Sequence, residues 1–360
     1  MDAALLSILH EFALAAAPTD CSQHRAGHIN STYFVTVDGG RRYILQRVSG
    51  EVFKNIPAMM ENIRLVTEFL RRSISDPREA LCLVPTKQGE NYLLADGDYW
   101  RMYDFVENSL CLLVPENDED LYQSALGFGG FLDQLDAFPI EQLAETIPNF
   151  HNTPDRYRIF REVLQRDPLG RAASVKQEIE FALAREAEMS QLQQLREAKL
   201  LPTRVTHNDT KLSNILLDAA TRKALCVIDL DTVMPGLSLY DFGDSIRSGA
   251  STAAEDETNL DLVQIDLHRF RIYTRGFLRS FPKLTEKEIE LLPLGAKVIT
   301  FENGLRFLTD YIDGDHYFAI HRESQNLDRA RAQFRLVSDM ESKWDEMQRI
   351  VAEERAALTR

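Results

Sequence analysis

Two runs of mixed apolar and polar positions flank a turn between residues 29 and 48. Thr32-Tyr33-Phe34-Val35-Thr36-Val37 is rich in β-branched and aromatic side chains, Asp38-Gly39-Gly40 carries a hairpin signal, and Arg42-Tyr43-Ile44-Leu45-Gln46-Arg47-Val48 returns. The period then lengthens. Met60, Ile63, Val66 and Leu70 fall at helical spacing behind Pro57, which suits a first helical turn. Short strands are predicted around Leu81 to Pro85 and Tyr92 to Leu94, and Asp96-Gly97-Asp98 turns the chain into a strand over Tyr99 to Val106. Beyond Glu107-Asn108 the pattern is helical: residues 119–137, 155–165 and 172–198, then from about 258 to the end, the last helix running from about Leu327 to Ala357. A β-hairpin at about 214–229 interrupts it. The expectation is an α+β protein with two lobes: a small β-rich N-lobe over 1–106 and a larger, mainly helical C-lobe over 107–360.

Composition narrows the class. The chain has 360 residues, enough for two cores, with 44% apolar and 27% charged residues. Its first seventeen residues superficially resemble an export signal. Asp2 stands where positive charge belongs, however, and His10-Glu11 break the apolar stretch, so an amphipathic helix is the better reading. The formal net charge of −15 repels nucleic acid and anionic membrane, and neither is an expected partner. Cys21, Cys82, Cys111 and Cys226 are scattered, without the spacing of a zinc site or a disulfide framework; reduced thiols and a cytoplasmic location are expected.

The chemistry concentrates in His207-Asn208-Asp209-Thr210-Lys211-Leu212-Ser213-Asn214, followed by Cys226-Val227-Ile228-Asp229-Leu230-Asp231. An Asp separated from an Asn by four residues, then two apolar strands ending in Asp, is the arrangement of a kinase catalytic loop and its metal-binding aspartate, and points to a protein-kinase-like fold. In a hairpin with its turn at Asp218 to Lys223, Asn214 opens one strand and Asp229 closes the other. Both then lie at the same end, beside Asp209. Two oxygen ligands and a carboxylate suit ATP-dependent phosphoryl transfer with Mg²⁺ (or Mn²⁺). Asp209 is the candidate base, Lys211 a candidate to offset charge on the moving phosphoryl group, Asn214 and Asp229 metal ligands, and Asp231 a metal assistant. His207 is expected to brace the loop. The string Asp241-Phe242-Gly243 imitates a kinase metal motif but lies twelve residues past Asp229; a loop- or helix-capping role is expected for Asp241.

The nucleotide side is less explicit. Gly27-His28-Ile29-Asn30-Ser31-Thr32 is a candidate phosphate-covering turn, with one glycine where protein kinases have three. The strand Ile44-Leu45-Gln46-Arg47 lacks the usual lysine. Either Arg47 supplies the charge or Gln46 takes the slot, with Glu61 on the next helix as the expected ion-pair partner. Tyr103, Asp104, Phe105 and Val106 are the expected hinge, offering backbone groups to the adenine edge.

The segment Val205 to Asp244 resembles the aminoglycoside phosphotransferase and choline kinase group of small-molecule kinases. Several strings are most similar to its N-acetylhexosamine 1-kinase branch: Gly27-His28-Ile29-Asn30, Tyr43-Ile44-Leu45-Gln46-Arg47, Val52-Phe53-Lys54-Asn55, Ile228 to Gly236, Gly304 to Tyr311, and Asn326-Leu327-Asp328-Arg329. The resemblance covers nearly the whole chain. It implies phosphorylation of the anomeric hydroxyl of N-acetylglucosamine or N-acetylgalactosamine, giving the sugar 1-phosphate and ADP, with Asp209 as base and Asn214 and Asp229 as metal ligands. For the acceptor, Arg306, Asp310, Tyr311, Asp313, Asp315, Tyr317 and Trp344 mix the carboxylates and aromatic faces that suit a polyhydroxylated ring. Three alternatives stay open. A protein kinase is disfavoured because no Ala-Pro-Glu follows Asp229. An antibiotic-modifying phosphotransferase is compatible with the acidic chain. A nucleotide-binding pseudokinase is favoured only by the missing lysine.

Overall fold

The computed structural model describes residues 2–24, 30–50 and 53–358. Its elements begin with α1 (Ala3–His10), β1 (Pro18–His24), β2 (Ser31–Val37), β3 (Arg42–Val48), α2 (Ile56–Leu70), β4 (Leu93–Ala95), β5 (Asp98–Asp104) and β6 (Ser109–Cys111). There follow α3 (Asp118–Gln134), α4 (Thr153–Arg166), α5 (Lys176–Leu183), α6 (Glu186–Met189), α7 (Gln191–Glu197), β7 (Arg204–Thr206), β8 (Ile215–Asp218) and β9 (Ala224–Val227). The last six helices are α8 (Ser238–Gly249), α9 (Leu267–Ser280), α10 (Glu286–Glu290), α11 (Leu292–Asp313), α12 (Gln325–Ser342) and α13 (Trp344–Leu358). None is long and apolar enough to cross a membrane among the described residues. The chain forms two compact units: Met1–Cys111 with Ala137–Pro148 and Leu216–Pro235, and Leu112–Asp136 with Asn149–Ile215 and Gly236–Arg360.

The first unit is built on an antiparallel five-stranded sheet in the order β1-β2-β3-β5-β4. The β2–β3 hairpin turns where the Asp-Gly-Gly signal stands, with Gly39 and Gly40 both at positive φ. Alternation along β2 and β3 sends Val35, Val37, Tyr43 and Leu45 to one face, where Leu9 and Phe12 at the N-terminus and Met102 of β5 close a small core. Helix α2 starts at Asn55, whose side chain accepts the Ala58 N–H, with a proline in its first turn. It buries Met59, Met60, Ile63, Val66 and Leu70, as its spacing requires. Asn62 is buried on the same helix. Its amide donates to the carbonyls of Ala144 and Val233 and accepts from the Ala144 N–H, tying the two returning segments of the unit to α2. A second, small sheet runs β6-β8-β9.

The second unit is helical. Its interior is one continuous apolar cluster in which α3 packs on α9, and α11 packs on both α8 and α12. Phe242 of α8 meets Phe270, Tyr273 and Phe277 of α9 at ring-centroid distances of 6.0, 5.8 and 5.3 Å. The neighbouring Gly243 faces Gly295 of α11 so closely that a Cβ there would stand 2.4 Å from the Gly295 carbonyl oxygen.

Several sequence expectations need correction. Residues 172–198 are not one helix but a turn followed by α5, α6 and α7, broken at Ala184-Arg185 and at Ser190. The final helix is likewise two, parted at Lys343, whose ammonium folds back onto Asp339 and the Ile265 carbonyl. Leu81 to Pro85 is not a regular strand: it meets β5 through a bridge at Leu83–Tyr103 and flanking backbone hydrogen bonds. Strand β1 escaped the reading because Pro-Thr-Asp-Cys-Ser-Gln-His is a polar, largely exposed edge strand without an apolar alternation.

Candidate active site

The short strand β7 delivers the chain into the loop His207 to Asn214. Asn208 takes a left-handed conformation (φ 67°), which asparagine tolerates better than most residues and which reverses the chain just before Asp209. The loop is held by carboxylates that accept its backbone N–H groups. Asp241, in the first turn of α8, accepts from His207 N (2.9 Å) and Asn208 N (2.7 Å), and Asp244 accepts from Thr210 N (2.9 Å). The Thr210 hydroxyl donates to the Asp241 carbonyl, and Ser245, itself bonded by the Tyr273 hydroxyl, donates to the Thr210 carbonyl. Of the two roles expected for Asp241, the loop one is observed and the helix cap is not, and the metal-motif imitation has a structural reading. The aspartate ties the loop, Phe242 enters the aromatic core, and Gly243 lets α11 pass. Burial raises the Asp241 carboxyl to about 6, with the facing N–H groups opposing the rise. His207 is fully buried, edge-on to Phe128 and Phe131, and its Nδ1 accepts the Asp209 N–H at 3.2 Å.

Within this loop Asp209, Lys211 and Asn214 come together. Asp209 Oδ2 accepts from Lys211 Nζ (2.9 Å) and from Asn214 Nδ2 (2.9 Å). Burial pushes the Asp209 carboxyl up, but the Lys211 ammonium, its hydrogen bond and the Asn214 amide outweigh it and hold the group below its ordinary value. Asn214 also donates to the Asp209 carbonyl (2.8 Å). Both donations use Nδ2, so the amide's orientation is set and its Oδ1 is the atom left to serve a hard cation.

In the sheet unit, Asp229 follows β9 and also takes a left-handed conformation (φ 61°) before the turn Leu230–Thr232. Asp231, in that turn, has both oxygens engaged: Oδ1 with Arg101 Nη1, and Oδ2 with Asn30 Nδ2 at 2.7 Å. The expected role of Asp231 as a metal assistant thus meets a carboxylate already paired with a buried guanidinium. Among the described residues no three His, Cys, Asp or Glu side chains form a group able to hold a metal ion by themselves.

The expected nucleotide residues divide. Gly27 and His28 lie outside the described residues. Asn30 bonds to Asp231 and caps the Ser49 N–H (3.0 Å). Gln46 points into the sheet's polar interior, bonding Thr32 and Arg101. Arg47 and Glu61 do not form the expected ion pair. Arg47 sits beside Asp98 at 3.3 Å and Glu61 beside Arg64 at 2.6 Å, with both pairs largely exposed. Alternation along β3 places Arg47 on the opposite face from Gln46, at the strand's exposed end beside Asp98. In the expected hinge, the N–H groups of Asp104 and Phe105 are bonded to the carbonyls of Cys82 and Arg42, and the Val106 carbonyl accepts from Ser109. Tyr103 is buried, and the Asp104 side chain pairs with Arg41.

The acceptor candidates divide as well. Arg306 lies among Phe150, Tyr317 and Phe318, 5.6, 5.6 and 5.2 Å from their ring centres, and donates to the Tyr317 hydroxyl at 3.3 Å. Asp310 does not belong with them. Its carboxylate accepts the N–H groups of His316, Tyr317 and Phe318 and the Asn326 amide, so it shapes the loop that carries Tyr317. Tyr311 is buried under Arg171, and Trp344 carries the buried Lys297 over its ring between helices; both are packing residues. Asp313 and Asp315 pair with Arg166 and Arg171.

Sequence reading missed the residues behind Arg306. Buried Glu302 accepts from the Thr153 hydroxyl and lies 2.9 Å from His151 Nδ1. Burial raises its carboxyl, but His151 and the nearby Arg156 and Arg306 more than reverse this. The His151 Nε2 and Arg156 Nε atoms are buried and have no hydrogen-bond partner among the described residues. Arg101 was missed too, although a lone charge in Trp100-Arg101-Met102, directly across from Gln46, is a usable signal once the register is known.

Three solved structures resemble the chain along nearly all its length. An aminopropanol kinase associated with a microcompartment is 18% identical over 96% of this chain and 98% of its own, with a TM-score of 0.66. A spectinomycin phosphotransferase in complex with ADP and spectinomycin is 12% identical over 94% and 98%, with a TM-score of 0.62. An amicoumacin kinase in complex with AMP-PNP, Ca²⁺ and its antibiotic is 12% identical over 95% and 94%, with a TM-score of 0.60. At these identities the likeness establishes the protein-kinase-like α+β fold. Residues 20–277 match the phosphotransferase enzyme family, and with more than two thirds of its length in that match the chain belongs to this family.

Proposed function

We propose that this protein is an ATP- and Mg²⁺-dependent kinase of a small hydroxylated molecule, and that its acceptor is the anomeric hydroxyl of an N-acetylhexosamine. The observation that carries the reading is Asp209: a carboxylate held ionised by Lys211 and an oriented Asn214 amide, on a loop whose backbone is fixed by Asp241 and Asp244. Such a group has the charge and the rigidity of a general base. Family membership supplies the reaction class.

In the proposed reaction Asp209 takes the proton of the acceptor hydroxyl. The acceptor oxygen bonds to the γ-phosphorus of ATP as the bond to the β–γ bridging oxygen breaks, leaving ADP and the acceptor phosphate. Lys211 offsets the charge that gathers on the moving group. Asn214 and Asp229 are the residues that would hold Mg²⁺, which would supply neutralisation of phosphate charge. Positioning and electrostatics account for most of the acceleration. Arg306 and Tyr317 are the proposed acceptor contacts. Positive charge at Arg306 and Arg156 is ill suited to a polycationic aminoglycoside, which favours a neutral sugar.

The test is an acceptor panel of N-acetylhexosamines, plain hexoses, aminoglycosides, choline and amino alcohols, with ADP release measured and the phosphate position read by phosphorus NMR. A sugar 1-phosphate from an N-acetylhexosamine is expected. Transfer to an amino alcohol or an aminoglycoside in its place removes the sugar reading and keeps the kinase; ATP bound without transfer to any acceptor removes the kinase.

A further inference from the structure

β3 carries Gln46 and Arg47 where a lysine is expected, and a buried cation stands on the strand beside it. Arg101 of β5 stands directly across from Gln46 of β3 and is only 1% exposed. Its Nε donates to Gln46 Oε1 at 2.9 Å, its Nη1 pairs with Asp231, and its plane lies 5.3 Å from the Tyr103 ring centre. Gln46 passes the network to Thr32 of β2 at 3.1 Å. Asp231 passes it to Asn30 at the start of β2, which in turn receives the Ser49 N–H. One guanidinium thus joins three strands to the turn after Asp229.

Stability alone is a poor reason for such a pair. A buried ion pair is commonly no better than well-packed apolar residues of the same volume, whereas losing one partner strands a buried charge. What the pair provides is a fixed geometry. The chain turns left-handed at Asp229, a conformation that needs support from its surroundings, and Asp231 two residues later is gripped on both oxygens.

We propose that Arg101 is a positioning residue of the phosphoryl-transfer reaction, holding Asp231 against the sheet and thereby aiming the Asp229 carboxylate at the nucleotide's cation. The proposal rests on the reading of Asp229 as a Mg²⁺ ligand. It makes Arg101 the substitute for the missing lysine in charge but not in contact: the lysine's expected place is on the nucleotide, and Arg101 acts through Asp231.

The double variant Arg101→Met/Asp231→Leu separates geometry from stability. It removes both charges together, so no unpaired buried charge remains; Gln46 and Asn30 each lose a partner, and a folded variant with a modestly lowered melting temperature is expected. Its requirement for Mg²⁺ is expected to rise about 10- to 100-fold, the range for removing a group that orients a metal ligand. The rise is read twice: as the Mg²⁺ dependence of ADP binding by calorimetry, and as the Mg²⁺ dependence of turnover. A folded double variant whose two Mg²⁺ dependences match the parent's overturns the proposal, because the pair is then only structural. Should the double variant not fold, Arg101→Lys keeps the charge and loses the fork; an unshifted Mg²⁺ dependence of ADP binding in that variant overturns the proposal equally, and a raised one supports it. The kinase reading fails separately: the parent protein then transfers phosphate to no acceptor, while the calorimetric comparison is still read.

Discussion

The catalytic loop and the polar interior of the sheet solve the same problem in opposite ways. Both fix an aspartate at a left-handed turn, with Asn208 preceding Asp209 in one and Asp229 itself so placed in the other. The loop is restrained from a single helix: Asp241 and Asp244 accept its backbone N–H groups, and Ser245 donates to the Thr210 carbonyl. The sheet region is restrained by side chains drawn from residues 30, 46, 101 and 231. In the loop, carboxylates fix the backbone through its N–H groups, and the Asp209 side chain is held separately by Lys211 and Asn214. In the sheet, a buried ion pair holds the Asp231 side chain and with it the turn after Asp229. In the proposed reaction the first arrangement serves the group that takes a proton, and the second the turn that carries the proposed metal ligand.

Four substitutions sharpen or break that contrast. Asp209→Asn leaves every loop anchor in place, so turnover is expected to fall about 10²- to 10⁴-fold with the melting temperature unchanged. Near-parental turnover in a steady-state assay would remove Asp209 from its proposed role. Gly243→Ala forces a methyl group against the Gly295 carbonyl, and overpacking of this kind costs about 1–3 kcal/mol, to be read from urea unfolding. If stability holds, the helix that carries the loop anchors is less closely fixed than its packing indicates.

Asp241→Asn leaves one of two backbone N–H groups facing an amide, at a cost of about 1–3 kcal/mol. It also changes a pH response. The folded-state pKa of Asp241, about 6, lies above its ordinary value of 3.8, so the native protein binds this proton more tightly than the unfolded chain does. The contribution to stability is therefore full below 3.8 and is lost as pH rises through 6. Unfolding measured from pH 4 to 7 should show that decline in the parent and a flatter profile in the variant. The smallest effect is expected from Glu61→Ala. Its partner Arg64 is on the same exposed helix face, so stability should change by less than about 0.5 kcal/mol and the KM for ATP should not move. A large rise in that KM would return Glu61 to the nucleotide and weaken the case for Arg101.

The contrast also explains what could be read from the sequence. His207 to Asn214 was legible because its chemistry is written in one octet, and the β2–β3 hairpin because alternation and the Asp-Gly-Gly turn agree. The loop role of Asp241 followed from counting residues past Asp229. Arg101, Asn62 and the Glu302–His151 pair were not legible, since each acquires meaning only from partners far along the chain. The partners of Asp310 and Trp344 were not legible for the same reason. Composition says that a carboxylate or an indole is present, but only the fold says that backbone N–H groups and Lys297 have already claimed them. Helices α5 to α7 were merged because their breaks occur at alanine, arginine and serine, which carry no stop signal.

Residues 216–235 belong to the sheet unit although the chain enters them from the helical unit at Ile215 and returns at Gly236. That excursion brings Asp231 to Arg101. A gene cut after Cys111 would therefore yield an amino-terminal fragment with a desolvated guanidinium and no counter-ion, and such a piece should precipitate when made alone. Recombination between relatives is constrained likewise: a productive crossover has to carry the early strands and the short excursion from one parent.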